Sequence, residues 1–85
     1  MNVYFLNLGS ILKVAEDLSL VERSFPKLKH IQHRTGLSTE EMVRALELEP
    51  NPLGWHLERS ANPNDESAYW VDGQPVVGLV IERFA

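Results

Sequence analysis

The sequence contains no cysteine, and this absence excludes several kinds of site at once. Disulfides, zinc sites built on thiolates and catalysis by a thiol nucleophile all require cysteine side chains. A chain without cysteine fits a reducing compartment, so we expect a cytoplasmic protein. Residues 1–6 carry neither a basic segment nor a small-residue cleavage site, and the sequence therefore predicts no signal peptide.

Long hydrophobic runs and a surplus of positive charge are also lacking. No stretch of about 18 apolar residues occurs, so no membrane-spanning helix is predicted. Eight lysine and arginine residues stand against twelve acidic ones, a net charge of -4. A protein that attracts nucleic acid by general electrostatics usually has the opposite balance.

The basic residues are unevenly placed along the chain. Residues 23–34 contain Arg23, Lys27, Lys29 and Arg34, with two of the three histidines and no acid. A segment of this kind is either a solvated helix face or a surface for an anionic partner.

No pattern of a common catalytic or cofactor site is present. The nucleophile elbow G-x-S-x-G, the phosphate-binding loop and the dinucleotide fingerprint are all missing. His30 and His33 are spaced to chelate a metal from one helix, but no further ligands stand at a spacing that completes the set. We therefore expect neither an enzyme nor a metal or cofactor site.

The chain length and the first half of the pattern predict one domain that begins with helices. The 85 residues support one hydrophobic core, so we expect a single domain over residues 1–85. Residues 3–8 are compatible with a short strand or with the start of the first helix. Ser10 is placed to cap that helix, in which apolar residues recur at helical spacing.

Two further helices are predicted from their end signals. Pro26 suits the first turn of a helix over residues 27–35, and Gly36 supplies the left-handed residue that ends it. Ser38 and Glu41 have the spacing of a capping box that begins the third helix, which Pro50 stops.

After these helices the pattern becomes extended. Alternation from Trp55 onward, the segment Tyr69-Trp70-Val71 and an apolar run from about Val76 to Phe84 predict three strands. Asp72-Gly73 is typical of a two-residue hairpin, and Gly78 of a bulge. The apolar third strand should be central or covered on both faces. The fold class predicted is α+β, three short helices followed by a three-stranded antiparallel β-meander.

Residues 28–46, L-K-H-I-Q-H-R-T-G-L-S-T-E-E-M-V-R-A-L, resemble a helix-turn-helix unit of the bacterial repressor type. Gly36 stands in the turn. Four residues before it, where such units usually have a small residue, this sequence has Gln32. Immediately before it, where a large apolar residue is usual, it has Thr35. With a hairpin after the third helix, the order of elements is also similar to a winged helix. The apolar residues at the offsets of the pattern are Ile31, Leu37, Met42, Ala45 and Leu46.

The resemblance implies a small regulatory protein that binds double-stranded DNA. Since one recognition helix gives little affinity, it also implies a homodimer. The residues expected to contact the phosphate backbone are Lys27, Lys29 and Arg34. Those expected to contact bases are Ser38, Thr39 and Arg44. Arg59 is expected to contact the adjacent groove.

The sequence leaves a second function open, an acidic protein–protein interaction module, such as an adaptor or inhibitor, without nucleic-acid binding. Its anchors would be the aromatic residues Trp55, Tyr69 and Trp70. Because Tyr69 and Trp70 are adjacent in a predicted strand, they face opposite sides of the sheet, so at least one lies away from the helices. The acidic residues outside residues 23–34 favour protein–protein interaction, whereas the helix-turn-helix spacing favours DNA binding.

Overall fold

The structure, a computed structural model, describes residues 3–22, 24–49, 51–52 and 54–82. The predicted α+β arrangement of three helices followed by a three-stranded antiparallel sheet is confirmed. Among the described residues, no helix combines the length and apolar composition needed to cross a lipid bilayer. The elements are α1 (Val3–Ser19), α2 (Leu28–Thr35), α3 (Thr39–Leu48), β1 (Trp55–Arg59), β2 (Tyr69–Val71) and β3 (Gln74–Ile81).

The alternative that residues 3–8 form a strand is wrong, because they are the first turns of α1. Gly9 and Ser10 lie inside this helix, so Ser10 is not its cap. The helix continues through the glycine because its buried residues recur every three or four positions and form one apolar face against the core. Those residues are Leu8, Ile11, Ala15 and Leu18.

The sheet has the strand order β1-β3-β2, so the predicted central position of the third strand is confirmed. The predicted β-meander is wrong, because a meander would place β2 between β1 and β3, whereas β2 is an edge strand. β2 turns directly onto β3 through Asp72 (φ 51°) and Gly73 (φ 76°), the positive angles that a two-residue hairpin needs. The other edge of β3 pairs with β1, from Trp55 opposite Ile81 onward.

The predicted irregularity at Gly78 is confirmed as a β-bulge. Gly78 lies opposite Glu58, whereas Val76 lies opposite Arg59, so Val77 is an extra residue on β3. The segment before α2 docks beside the bulge, where Lys27 forms an antiparallel bridge with Gly78. The helix-turn-helix segment is therefore attached to the sheet by the residue that precedes it.

One hydrophobic core joins the helices to the sheet. α1 packs on both α2 and α3, while α2 contacts β3 and α3 contacts β2. The buried members of the core are Leu8, Ile11, Ala15, Leu18, Leu28, Ile31, Met42, Ala45, Leu46, Trp55, Tyr69, Val71, Val76 and Leu79.

Candidate nucleic-acid interface

The turn between α2 and α3 has the backbone geometry that its sequence predicts. Gly36 follows the last residue of α2 with φ 73° and ψ 11°, the left-handed region that residues with a Cβ disfavour. Its N–H donates to the carbonyl of Gln32 at 2.9 Å. No atom lies within 4 Å of the position that a Cβ would take, so glycine is required here by backbone conformation and not by crowding.

The predicted capping box at the start of α3 is also confirmed. The amide of Glu41 donates to the Ser38 hydroxyl oxygen at 3.1 Å, and the amide of Ser38 donates to the Glu41 carboxylate at 3.0 Å. The bond from the Ser38 amide to the carboxylate, followed by one from the Ser38 side chain, favours the ionised form, so the pKa of Glu41 is lowered. The side chain of Ser38 is thereby engaged in holding the helix start, at the point where the unit would approach a ligand.

The outer face of α2 is basic. Leu28 and Ile31 of this helix are buried, and no acidic residue lies in it. Lys27, the extended residue before the helix, is exposed as well. Arg23, the remaining basic residue of the segment, lies outside the described residues. The exposed side chains on α2 itself are Lys29, His30, His33 and Arg34.

One carboxylate approaches this basic face. The Nδ1 atom of His30 lies 2.9 Å from a carboxylate oxygen of Glu22, which precedes α2. In the described part of the chain, Lys27 and Arg34 have no carboxylate within ion-pair distance. The residues described include no group of three His, Asp or Glu side chains that could hold a metal ion. Lys27 and Arg34 are therefore the cations of this surface that no described carboxylate pairs.

Gln32 connects three elements around the turn. Its side-chain oxygen accepts a hydrogen bond from the Tyr69 hydroxyl in β2, and its side-chain nitrogen donates to the Thr39 hydroxyl at 3.3 Å. The Lys29 ammonium lies 5.0 Å from the centroid of the Tyr69 ring, within the range of a cation–π contact. A small residue at position 32 would allow closer helix packing, whereas glutamine bridges α2, α3 and the sheet.

The exposed face of α3 carries both signs of charge. Thr39 is exposed at its start, and Arg44 lies one turn beyond Glu40. The Arg44 Nη2 atom is 3.8 Å from a Glu40 carboxylate oxygen, and both side chains are more than half exposed. Such exposed pairs contribute only about 0.3–0.5 kcal/mol, so a stronger ligand can displace the acid. Glu47 adds a second exposed carboxylate to this face.

The segment between β1 and β2 is organised around an acid. Asp65 accepts hydrogen bonds from the amide of Ser67 at 2.9 Å and from its hydroxyl at 2.6 Å, and a third from the Ser60 hydroxyl at 2.9 Å. These bonds, those from Ser67 first, lower the pKa of Asp65. Arg59 is exposed at the end of β1 and shares a cleft of about 280 Å³ with Asp72. The hairpin region is therefore mostly acidic, with Arg59 as its described basic residue.

Of the three aromatic residues expected to anchor a protein partner, two are in the core. Trp55 is 6% exposed and Tyr69 2%, and both belong to the hydrophobic core. Their selection as surface anchors is corrected accordingly. Trp70, on the opposite face of β2 as its alternation with Tyr69 predicts, is 53% exposed.

Three residues that shape this region were not selected from the sequence. Gln32 entered the sequence analysis only as a departure from the helix-turn-helix pattern, and the two imidazoles of α2 as members of the basic segment that are also spaced to chelate a metal. The helical spacing of His30 and His33 beside Lys29 does indicate a shared exposed face. Nothing local indicates the partners of Gln32, because Tyr69 is 37 residues away.

Comparison of this chain with protein-family models, with curated proteins and with solved structures finds no match.

Proposed function

We propose that this protein binds double-stranded DNA through the helix-turn-helix unit of residues 28–46. In this proposal α2 lies on the phosphate backbone and the first turn of α3 enters the major groove. The observation that carries it is the exposed face of α2, which presents only basic side chains. Charged contacts to phosphate supply most of the affinity in protein–DNA complexes, and they fix the register of the protein on the duplex.

The contacts around Gln32 support a division of roles between the two helices. Lys29 is held over Tyr69, Tyr69 bonds Gln32, and Gln32 bonds Thr39. A phosphate contact made by Lys29 would therefore set the position of Thr39 at the start of α3. Lys27 and Arg34, which have no carboxylate partner among the described residues, would neutralise neighbouring phosphates.

Base contacts would come from the start and the middle of α3. Thr39 is exposed in the first turn, and Ser38, which caps the helix immediately before it, is exposed as well. Arg44 has the length to reach the O6 and N7 atoms of a guanine once Glu40 is displaced. The order of the elements and the docking of Lys27 on Gly78 support a winged-helix type of arrangement, in which Arg59 contacts the adjacent groove.

The acids of the protein support selective rather than general binding. Glu40 and Glu47 on α3, with Asp65 and Asp72 in the hairpin region, would repel phosphates on a misplaced duplex. Only a register that brings α2 to the backbone and Arg44 to its base would offset this repulsion. Such a balance suits a regulatory protein that occupies few sites.

A titration with duplex DNA, followed by amide chemical shifts, tests the proposal. It is run at about 50 mM and about 200 mM salt, a range over which phosphate contacts weaken steeply. Shifts limited to residues 27–34 and 38–44 that fade with salt are expected. No shifts at either salt, together with no duplex enriched from a pool of varied sequences, would contradict the proposal.

A matched pair of variants separates the basic face from net charge. Arg34→Ala and Lys13→Ala each remove one exposed cation, the first from α2 and the second from α1. If Arg34 contacts phosphate, its removal weakens binding and reduces the slope of log K against log salt by about 1. Lys13→Ala should leave both quantities near those of the wild type. Equal losses in the two variants would show that only net charge matters.

Protein binding through the sheet is a second candidate, favoured by the exposure of Trp70. Its neighbour on the same face is Pro75, which is half-buried. Affinity capture of protein partners is carried out with the wild type, Trp70→Ala and Leu20→Ala. The last variant is the control, because it removes an exposed apolar side chain elsewhere on the protein. A partner lost only with Trp70→Ala, together with no DNA-induced shifts, would favour the second candidate.

A further inference from the structure

A cleft of the structure is lined jointly by the segment that leads into α2, by the connection from β1 to β2 and by β3. Its volume is about 360 Å³. Sites for small molecules usually measure about 300–1,000 Å³, so this one suits a ligand of modest size. The residues that line the cleft are Phe25, Lys27, Lys29, Asp65, Ser67 and Val77.

The charged residues of this cleft do not pair with each other. Lys27 and Lys29 supply two ammonium groups and Asp65 supplies one carboxylate, but the carboxylate lies within 4.0 Å of neither lysine nitrogen. Hydrogen bonds from Ser67, and then from Ser60, lower the pKa of Asp65, so its carboxylate is ionised at neutral pH. A complementary ligand therefore carries an anionic group for the lysines and hydrogen-bond donors for the acid.

Each charged residue of the cleft is held by contacts within the protein. Lys27 forms its antiparallel bridge with Gly78 of β3. The Lys29 ammonium lies 5.0 Å from the centroid of the Tyr69 ring. The carboxylate of Asp65 accepts the three hydrogen bonds described above. Because these groups are in place before a ligand arrives, binding costs less conformational entropy than it would on mobile side chains.

The remaining lining groups define the body of the ligand. The Ser67 hydroxyl donates its hydrogen to Asp65 at 2.6 Å, so its oxygen is left to accept a hydrogen bond from a ligand. Phe25 and Val77 are half-buried and add apolar surface to the cleft. An aromatic ring can stack on the ring of Phe25. The cleft thus suits a ligand that combines an anionic group, hydroxyl donors and an aromatic part.

We propose that this cleft binds a small phosphate monoester with an aromatic body and hydroxyl donors, the chemistry of a nucleoside monophosphate. The phosphate lies on the ammonium groups of Lys27 and Lys29, which match its charge of nearly -2 at neutral pH. The base lies against Phe25, and the sugar hydroxyls donate to Asp65 and Ser67. Repulsion between the phosphate and Asp65 disfavours the reverse orientation.

The charge of the cleft distinguishes this ligand from a zwitterion such as a free amino acid. Two lysines against one aspartate leave a surplus of one positive charge, which favours a ligand with net negative charge over a neutral one. Binding of the nucleotide goes beyond the proposed DNA binding and does not depend on it. Since both would use Lys27 and Lys29, the nucleotide is tested without DNA.

Titration of the full chain with adenosine monophosphate (AMP), followed by amide chemical shifts, tests the site. Saturable shifts are expected in residues 25–29, 65–67 and 77. Adenosine, which lacks the phosphate, and inorganic phosphate, which lacks the body, should each bind at least about tenfold more weakly, the effect of losing one charged hydrogen bond or more. Dideoxy-AMP, which lacks both sugar hydroxyls, should also bind more weakly than AMP, and it tests Asp65 and Ser67 without altering the protein.

Lys27→Gln and Lys29→Gln should each weaken AMP binding by roughly three- to tenfold, because each removes one cation from the phosphate. Lys13→Gln, which removes an exposed cation from α1, is the matched control and should bind AMP like the wild type. All three positions are exposed, so the variants should remain folded, and thermal unfolding without ligand checks this.

Three results would each overturn the proposal. The first is the absence of saturable shifts up to about 10 mM AMP, which places the dissociation constant beyond the millimolar range. The second is equal affinity for AMP, dideoxy-AMP and inorganic phosphate, which would show that the body of the ligand is not recognised. The third is an equal loss in Lys13→Gln, which would show an effect of net charge. If AMP fails while the wild type still binds DNA, the proposed function stands without this site.

Discussion

The hydroxyl of Tyr69 in β2 donates a hydrogen bond to the side-chain oxygen of Gln32 in α2, 37 residues earlier in the chain. Burial raises the pKa of this hydroxyl, so it remains a donor across the neutral range. Lys29 lies over the same ring, and Gln32 in turn contacts Thr39. The sheet is thereby tied to the helix-turn-helix unit beside its turn.

Removing this hydroxyl tests how much the connection stabilises the fold. In Tyr69→Phe the ring and its contact with Lys29 remain, while the half-buried oxygen of Gln32 loses its donor. The free energy of unfolding should fall by about 1 kcal/mol, the usual contribution of such a bond. Urea denaturation of the two single variants and the double variant with Gln32→Ala gives the coupling between the residues. Strictly additive losses would contradict a direct bond.

Two glycines should respond in opposite directions to the same substitution. A Cβ at Gly78 would lie 2.3 Å from the Phe25 ring and 2.5 Å from the Pro26 carbonyl oxygen, so the strand or the segment before α2 must shift. Gly78→Ala should cost roughly 1–3 kcal/mol, as overpacking usually does. A Cβ at Gly9 would have no atom within 4 Å, so Gly9→Ala should stabilise helix α1 by about 1 kcal/mol. Chemical denaturation at low protein concentration measures both, and equal effects would contradict the close packing at Gly78.

The features that the sequence predicted well depend on residues near each other in the chain. The Gly36 turn and the Ser38–Glu41 capping box are each determined within a few residues, by backbone conformation and by local hydrogen bonds. The hairpin at Asp72-Gly73 is of the same kind. Since these signals are chemical and local, a pattern of residue types is enough to identify them.

The features that it missed depend on tertiary contacts. Gly9 is typical of a chain break by propensity, but the burial of Leu8 and Ile11 on one face keeps α1 continuous across it. Extending the helical spacing back through Leu8 would have indicated this. The strand order and the partner of Gln32 had no local signal, and alternation alone did not tell which of Tyr69 and Trp70 faces the core. The roles of the site residues remain predictions.

The capping box should make stability depend on pH in a defined direction. The pKa of Glu41 is lower in the folded chain than its ordinary value of 4.5, chiefly through the Ser38 amide. The unfolded chain therefore takes up a proton first as the pH falls. The stabilising contribution is complete above the unfolded pKa and is lost as the pH falls through the folded one.

Glu41→Gln isolates this contribution, because glutamine keeps the shape of the side chain but does not ionise. The variant should be less stable than the wild type at neutral pH, and the difference should shrink below about pH 4.5. The lowered pKa of Asp65 is present in both proteins, so it cancels when the urea midpoints are subtracted at each pH. A difference that stays constant down to about pH 3 would contradict the role of the ionised carboxylate.

The Glu40–Arg44 pair leads to the most specific prediction about DNA. If Arg44 must leave Glu40 to reach a base, Glu40→Gln should tighten binding by freeing the guanidinium and by removing a carboxylate from the groove-facing side of α3. Glu16→Gln makes the same charge change on an exposed position of α1 and is the control. Binding constants at one salt concentration compare the two variants. Equal gains would show a net-charge effect and would contradict the assignment of Arg44.

Arg44→Ala should change which sequences are bound more than how tightly DNA is bound overall. A bidentate contact to guanine discriminates against other bases by about 1–3 kcal/mol, whereas a phosphate contact favours no sequence. Lys27→Ala, assigned to phosphate, should therefore weaken binding to all duplexes alike. Competition among duplexes that differ at single base pairs distinguishes the two effects. If Arg44→Ala lowers every affinity by the same factor, Arg44 contacts the backbone, and sequence reading must come from Ser38 and Thr39 at the start of α3.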